Sequence, residues 1–237
     1  MTVNDQLLNK IDELFPILAE VSNYNVQRFS SLRKTIDPFS FDDVFDEILD
    51  YFEEQDAPLS HLGSFLNELE NPNIDVGYRL KSEEALLMKW EKNKGCGKQL
   101  REVCNDVIGV RFIANYNPTV FMADLLNLKS NLDYTIDIIN FYETPKRVDD
   151  GFRGIHLYFR ENPKCFPIEI QFWSYQDALL NFYTHEVIYK RNLSIEAIEY
   201  SLQLRKMLDR LPDSPHDVEI SFVDYLYKVV YSQYGGG

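Results

Sequence analysis

Apolar positions between residues 4 and 70 recur at the three-to-four-residue spacing of helices. The stretch NDQLLNKIDELFPILAEV predicts a first helix with Asn4 as its cap, kinked or ended at Pro16. In SFDDVFDEILDYFEEQ, Phe41, Val44, Ile48 and Phe52 form one stripe, acids fill the rest, and Ser40 or Asp42 is the cap. PLSHLGSFLNELE predicts a third helix, and NPNIDVG a break after it. Beyond residue 78 helical and period-two stretches alternate. SEEALLMKWEKN reads as a helix capped by Ser82, with glutamates in its first turn. DVIGVRFIANY, YTIDIINFYE, IHLYFRE and FPIEIQFW read as strands, the last two joined as a hairpin by the turn NPK. PTVFMADLLNLKS and YQDALLNFYTHEVIYK read as helices, and residues 194–211 and 216–234 as closing helices divided by LPDSPHD. The order predicts an α+β fold: a mixed β-sheet core over residues 76–190, an N-terminal helical region over 1–75 and C-terminal helices over 191–237.

A chain of 237 residues that is 45% hydrophobic and 14% aromatic has material for a sizeable core. No apolar run reaches the length of a membrane span, and MTVNDQLLNK lacks a signal-peptide pattern, so a cytoplasmic protein with no membrane partner is expected. Cys96, Cys104 and Cys165 are odd in number and form no C-x-x-C pair, which predicts reduced thiols rather than disulfides or structural zinc. The net charge of −14 is unevenly placed. Residues 1–75 hold 16 acidic and 4 basic side chains, whereas residues 76–190 hold 15 of each. Within 79–101, 7 basic residues face 3 acidic ones, a local stripe that could receive phosphates or be a solvated helix face.

Candidate chemistry sits in the alternating segment. In DDGFRGIHLYF, Ile155, Leu157 and Phe159 share one face, while His156, Tyr158 and Arg160 take the other, just after a turn bearing Gly151, Phe152 and Arg153. In FPIEIQFW, Glu169, Gln171 and Trp173 share a face; they need polar partners if the strand is central and none if it is a wet edge. Gly109 in DVIGVRF marks a close approach of backbone or ligand. Asp106 before it suits either a Mg²⁺ site shared with a neighbouring glutamate or a plain turn. YRLKSEE places Arg79, Lys81 and Ser82 at a helix start, which suits an anion or simple capping. KGCGK lacks P-loop spacing, HEVIY has no second zinc-binding histidine, and His216–Asp217 stand alone.

Taken in order, these pieces resemble the synthetase domain of the RelA/SpoT family, which makes alarmones such as guanosine tetraphosphate. The family pattern R-x-K-S, D-x-x-G-x-R, G-Y-R-S-L-H, E-I-Q and H-x-x-x-Y-K is met at residues 79–82, 106–111, 151–156, 169–171 and 185–190. The resemblance implies a nucleotidyltransferase-like core and an ATP-dependent pyrophosphokinase that transfers pyrophosphate to a ribose 3′-hydroxyl. It implies Mg²⁺ on Asp106, with Glu169 sharing the metal or orienting and deprotonating the acceptor. Arg79, Lys81, Ser82 and Arg111 would bind ATP. Gly151, Phe152, Arg153, His156, Gln171, His185 and Lys190 would bind the acceptor, with Phe152 as a stacking plate, Arg153 and His156 facing phosphates, and Gly151 letting the loop close. Lys146 and Arg147 are further candidates.

The departures narrow the resemblance. Phe152 stands for the family's tyrosine, Gly154 for its serine, and Trp173 for the arginine that follows E-I-Q in guanosine-alarmone makers. The chain resembles the small alarmone synthetases, and among them the toxic subgroup. The expected acceptor is the tRNA 3′ CCA end, with an antitoxin protein as a possible partner. Free purine nucleotides, guanosine or adenosine, are the alternative acceptor. A catalytically inactive nucleotide-binding module is the third reading.

Overall fold

The computed structural model describes residues 2–22, 34–54, 56–69, 73–163, 165, 167–189 and 195–210. The second closing helix expected at 216–234, the residues His216–Asp217, and Lys190 lie outside the described residues. Five strands form one sheet in the order β1-β2-β5-β4-β3: β1 (Ile74–Leu80), β2 (Ile108–Ala114), β3 (Thr135–Asn140), β4 (Ile155–Arg160) and β5 (Ile168–Ser174). β2 and β5 are parallel and the other neighbours antiparallel, so the expected mixed sheet and the β4–β5 hairpin are both present. β5 is central rather than a wet edge, and every residue in it is buried.

One face of the sheet carries Val110, Phe112, Ile170, Phe172, Leu157 and Phe159, all at most 1% exposed. Helices α1 (Val3–Ser22), α3 (Asp56–Glu68) and α6 (Pro118–Ser130) cover it. Phe15 of α1 stacks on Phe159, and Phe121 of α6 meets Phe172 edge-on. Of the two outcomes expected at Pro16, a kink or an end, the end does not occur: α1 runs through it. Proline inside a helix costs about 3 kcal/mol. The same helix buries Leu7, Ile11, Leu14, Phe15, Leu18 and Val21 almost completely, at about 1.5–3 kcal/mol each, so packing outweighs the proline. Its start is held by Thr2 and Asp5, each accepting the other's backbone N–H, rather than by Asn4.

α2 (Phe41–Glu54) buries Phe41, Val44 and Ile48 as its stripe predicts. Helix α4 (Glu83–Asn93) is capped by Ser82, which accepts the Ala85 N–H. The short α5 (Leu100–Val103) leads towards β2; α7 (Tyr175–Tyr183) continues as a π-helical turn over Thr184–Tyr189; α8 (Ile195–Leu208) packs beside α7. Residues 94–97 of the KGCGK segment form a turn with Gly95 and Gly97 at positive φ. β1 is the element that the sequence pattern misses. Asp75 and Gly77 read as part of a break, but pairing with β2 over seven residues makes them part of an edge strand. Among the described residues no helix is long and apolar enough to cross a membrane.

Candidate functional site

The second face of the sheet carries the polar side chains, and strand register decides which of them meet. One row runs Arg79, Gly109, Glu169, Tyr158 across β1, β2, β5 and β4; the next runs Gly77, Arg111, Gln171, His156. Arg79 thus belongs to a strand rather than to a helix start. A Cβ on Gly109 would lie 3.6 Å from Arg79 Cγ and Nε, so the arginine stem passes over the glycine, the close approach expected of it.

Glu169 is the centre of these rows and is 4% exposed. Tyr158 donates its hydroxyl proton to Oε1 at 3.0 Å, and Gln171 Nε2 donates to Oε2 at 2.7 Å. His156 Nδ1 lies 3.0 Å from Oε1. That is ion-pair distance, but the N–H is not aimed at the oxygen, and both ring nitrogens are buried without a well-directed hydrogen bond. Burial alone would raise the Glu169 pKa. The charge of His156, the His156 and Tyr158 contacts and the charge of Arg79 oppose it and hold the carboxyl to about 2. A buried carboxylate therefore stays ionised.

A second cluster lies at the strand starts. Asp106 accepts from Lys81 Nζ at 2.5 Å and from Lys89 Nζ at 2.8 Å, and Lys89 also donates to Asn105 Oδ1 at 2.6 Å. Burial lowers the Lys81 pKa, and Asp106 offsets part of that fall. Two ammonium groups on one partly buried carboxylate form a net cationic site, which suits phosphate. Ser82 is committed to its cap. Among the described residues no three His, Cys, Asp or Glu side chains converge as a metal cluster.

Between β1 and β2 the face opens into a cleft of about 170 Å³, lined by Gly77, Arg79, Gly109, Arg111, Gln171 and Phe182 among others. Arg111 Nε donates to Gln171 Oε1 at 2.9 Å, and its guanidinium lies 3.7 Å from the Trp173 ring centroid. A hydrogen-bonded path thus joins the cleft to the carboxylate: Arg111, Gln171, Glu169. The ring of Trp173 and the fork of Gln171 fix the guanidinium plane at the cleft wall.

The loop before β4 differs from expectation. Phe152 is no open plate: it is 6% exposed, with Phe141, His156 and Trp173 edge-on to it. Lys146 Nζ sits 4.3 Å from its ring centroid. Arg153 braces the loop instead of facing phosphate. Its Nη1 and Nη2 donate to the two Asp149 oxygens at 2.9 and 3.1 Å, which lowers the Asp149 pKa. His156, expected to face phosphate, lies against Glu169. Gly151 is at φ +85° as a turn glycine should be, but it is held, not free: its N–H donates to Asp149 and its carbonyl accepts from Arg205. His185 is half-buried in the π-helical turn.

Four members were not singled out from the sequence. Lys89 lies two turns beyond Lys81 on a face that reads as ordinary. The alternation in β4 puts Tyr158 on the same face as His156 but gives it no role. Asn181 and Arg205 come from helices remote in sequence and reach the loop only through folding.

By sequence, the chain matches no protein-family profile and no curated protein. By structure it is similar to a GTP pyrophosphokinase family protein from Streptococcus pneumoniae, at 15% identity and a TM-score of 0.52, covering 78% of this chain and 94% of that one. Small alarmone synthetase 2 from Bacillus subtilis aligns at 20% identity over 81% of this chain and 99% of that one, with a TM-score of 0.49. Small alarmone synthetase 1 from the same organism, bound to its product pppGpp, aligns at 17% identity over 78% and 93%, with a TM-score of 0.46. The α+β expectation is met, and the helix-flanked mixed sheet of this chain is the fold of a GTP pyrophosphokinase family protein.

Proposed function

We propose that this chain is an ATP-dependent pyrophosphokinase of the RelA/SpoT type, acting on a ribose 3′-hydroxyl. The observation that carries the reading is Glu169: a carboxylate buried yet ionised, one residue across the sheet from the Arg79–Gly109 pair and linked through Gln171 to Arg111 in the cleft. Transfer of pyrophosphate asks for cations around a triphosphate and one oxygen base at the acceptor, with little covalent help.

In the proposed step the acceptor 3′-oxygen attacks the β-phosphorus of ATP. The bond from that phosphorus to the oxygen bridging the α-phosphate breaks, AMP leaves, and the acceptor proton passes to Glu169. A carboxyl held to about 2 is ionised at neutral pH, so it accepts the hydroxyl as a hydrogen-bond donor and aims it; orientation is a larger part of its role than basicity. Arg79, Arg111, Lys81 and Lys89 would spread the phosphate charge.

Asp106 is the residue that would hold a Mg²⁺ ion. Each of its oxygens accepts one ammonium and keeps a further lone pair, and Mg²⁺ at phosphate sites takes one or two carboxylates with substrate oxygens. When bound, the ion would supply charge neutralisation on the phosphates. Glu169 Oε1 faces Tyr158 and His156, and Oε2, which accepts from Gln171, keeps one lone pair for the acceptor hydroxyl, so the ion would rest on Asp106 and the phosphates.

For the acceptor, the reading is the 3′ end of tRNA. Trp173 in place of the family's arginine removes a cation from the acceptor side, and Lys92, Lys94 and Lys98 are exposed at the end of α4 and the turn after it, where an RNA backbone could lie. The test is transfer from ATP labelled with ³²P at the γ or the α position, with deacylated tRNA, GDP, GTP and AMP in parallel. The expected result is γ-label on tRNA and α-label in AMP. γ-Label only on free nucleotides would overturn the tRNA acceptor; none on any acceptor, with ATP still bound, would overturn the enzyme.

A further inference from the structure

In the loop over residues 149–154, seven of the twelve backbone N–H and C=O groups are held by side chains, and the Gly154 carbonyl accepts the Phe141 N–H. The N–H groups of Gly151, Phe152 and Arg153 donate in turn to Asp149 Oδ1, Asp150 Oδ1 and Asn181 Oδ1, at 2.9, 3.0 and 3.1 Å. On the acceptor side, the Asp150 carbonyl takes the Ser201 hydroxyl at 2.5 Å, the Gly151 carbonyl takes Arg205 Nε at 2.9 Å, and the Arg153 carbonyl takes Asn181 Nδ2 at 2.6 Å. Such density of bonding is ordinary in strands and helices and unusual in a connecting segment.

Two of these anchors come from α8. Arg205 is 4% exposed and also donates to Asp177, itself buried and bonded to Tyr142 and Ser174. Nε and Nη1 of this deep guanidinium are paired, and Asp177 offsets its charge, whereas Nη2 is buried without a hydrogen-bond partner. The contact is close as well as polar: a Cβ on Gly151 would lie 3.2 Å from the backbone oxygen and the Oγ of Ser201. The loop then runs into β4, whose His156 faces Glu169.

We infer that α8 is a clamp on this loop, with Arg205 and Ser201 as positioning residues that preset residues 149–154 for acceptor use. The acceptor half of this statement rests on the function proposed above; the clamp does not. Neither residue touches the cleft that would take ATP. The clamp thus predicts a split: loosening it changes acceptor use and leaves ATP binding alone.

The test uses the full chain as Ser201→Ala and Arg205→Lys, each first checked for a cooperative thermal transition. Ser201→Ala removes one buried hydrogen bond and leaves the charge pair intact, so it keeps the test decisive if the arginine variant does not fold. Hydrogen exchange is followed on the peptide covering residues 149–154, with a peptide from β5 as reference. Ser201→Ala is expected to raise exchange in the loop about fivefold, with the reference unchanged; no change in the loop would overturn the clamp. In the transfer assay the acceptor KM is expected to rise about fivefold in Ser201→Ala while the ATP KM stays within about twofold. Equal rises in both, or a loosened loop with an unchanged acceptor KM, would overturn the positioning role. If the wild-type chain transfers nothing, the proposed function and the positioning role fall together, and the exchange measurement still decides the clamp.

Discussion

Placing a methyl group on Gly154 is expected to cost about 2 kcal/mol, the scale of a forced insertion into a packed core. Its Cβ would stand 3.0 Å from Trp173 Cδ1 and 3.1 Å from the Phe172 carbonyl oxygen. Neither neighbour has room to yield. Trp173 is 1% exposed, with the Arg111 guanidinium on its ring and Phe152 and Phe182 against it edge-on. The Phe172 carbonyl accepts the Tyr116 hydroxyl at 2.9 Å. For a chain of this size about 2 kcal/mol corresponds to roughly 4–8 °C in Tm. A double-mutant cycle separates the two clashes. Trp173→Val has no δ carbon and leaves the carbonyl, so Gly154→Ala is expected to cost about 1 kcal/mol less in that background. Urea unfolding of the four proteins measures this directly. A Gly154→Ala variant within about 0.5 kcal/mol of the parent, or a cycle additive to that margin, would refute the argument. If the cycle holds, it explains why two departures from the resembled pattern occur together: glycine for serine at 154 is the space that tryptophan for arginine at 173 requires.

Glu169→Gln keeps the shape of the side chain and removes its charge; pyrophosphate transfer is expected to fall 10²–10⁴-fold (about the range for a lost acid–base group), with folding retained, and activity within fivefold of the parent would remove Glu169 from the proposed step. The Glu169 pKa is depressed on folding, from the usual 4.5 to about 2, so its contribution to stability is complete above pH 4.5 and is lost as pH falls towards 2; urea midpoints across that window should fall less steeply for Glu169→Gln than for the parent. Burial pushes the Cys104 thiol up to about 12 and raises that of Cys165, whereas Cys96 is exposed; iodoacetamide at pH 8 followed by peptide mass spectrometry should find Cys96 modified and the other two protected until the chain is unfolded.

Features set by a few neighbouring residues were legible from the sequence. The two faces of β4 follow from the pleat alone, and Ile155, Leu157 and Phe159 are all fully buried as the alternation requires. Ser82 caps α4 because a hydroxyl three residues before an amide reaches it in any such helix. Local reasoning failed where distant packing outweighed it. Pro16, expected to kink or end α1, does not end it, because the apolar face of that helix has a sheet to bury against. Asp75 and Gly77 disfavour a strand and still lie in one, because β2 presents them with a ladder of backbone partners.

The candidate site divides in the same way. The sequence by itself determined that Glu169, Gln171 and Trp173 share a face, that His156 and Tyr158 share another, and that cations gather around residues 79–101. Only the tertiary structure decided that these faces are one surface, since register places Arg79 beside Gly109, Gly109 beside Glu169 and Glu169 beside Tyr158. It also closed the loop that the sequence left open: Phe152 is packed among aromatic rings, Arg153 is spent on Asp149, and Gly151 is gripped by Arg205. Period and capping depend on the backbone within one turn or one pleat, whereas the partner of a buried charge depends on which remote segment arrives beside it, and no local pattern carries that information.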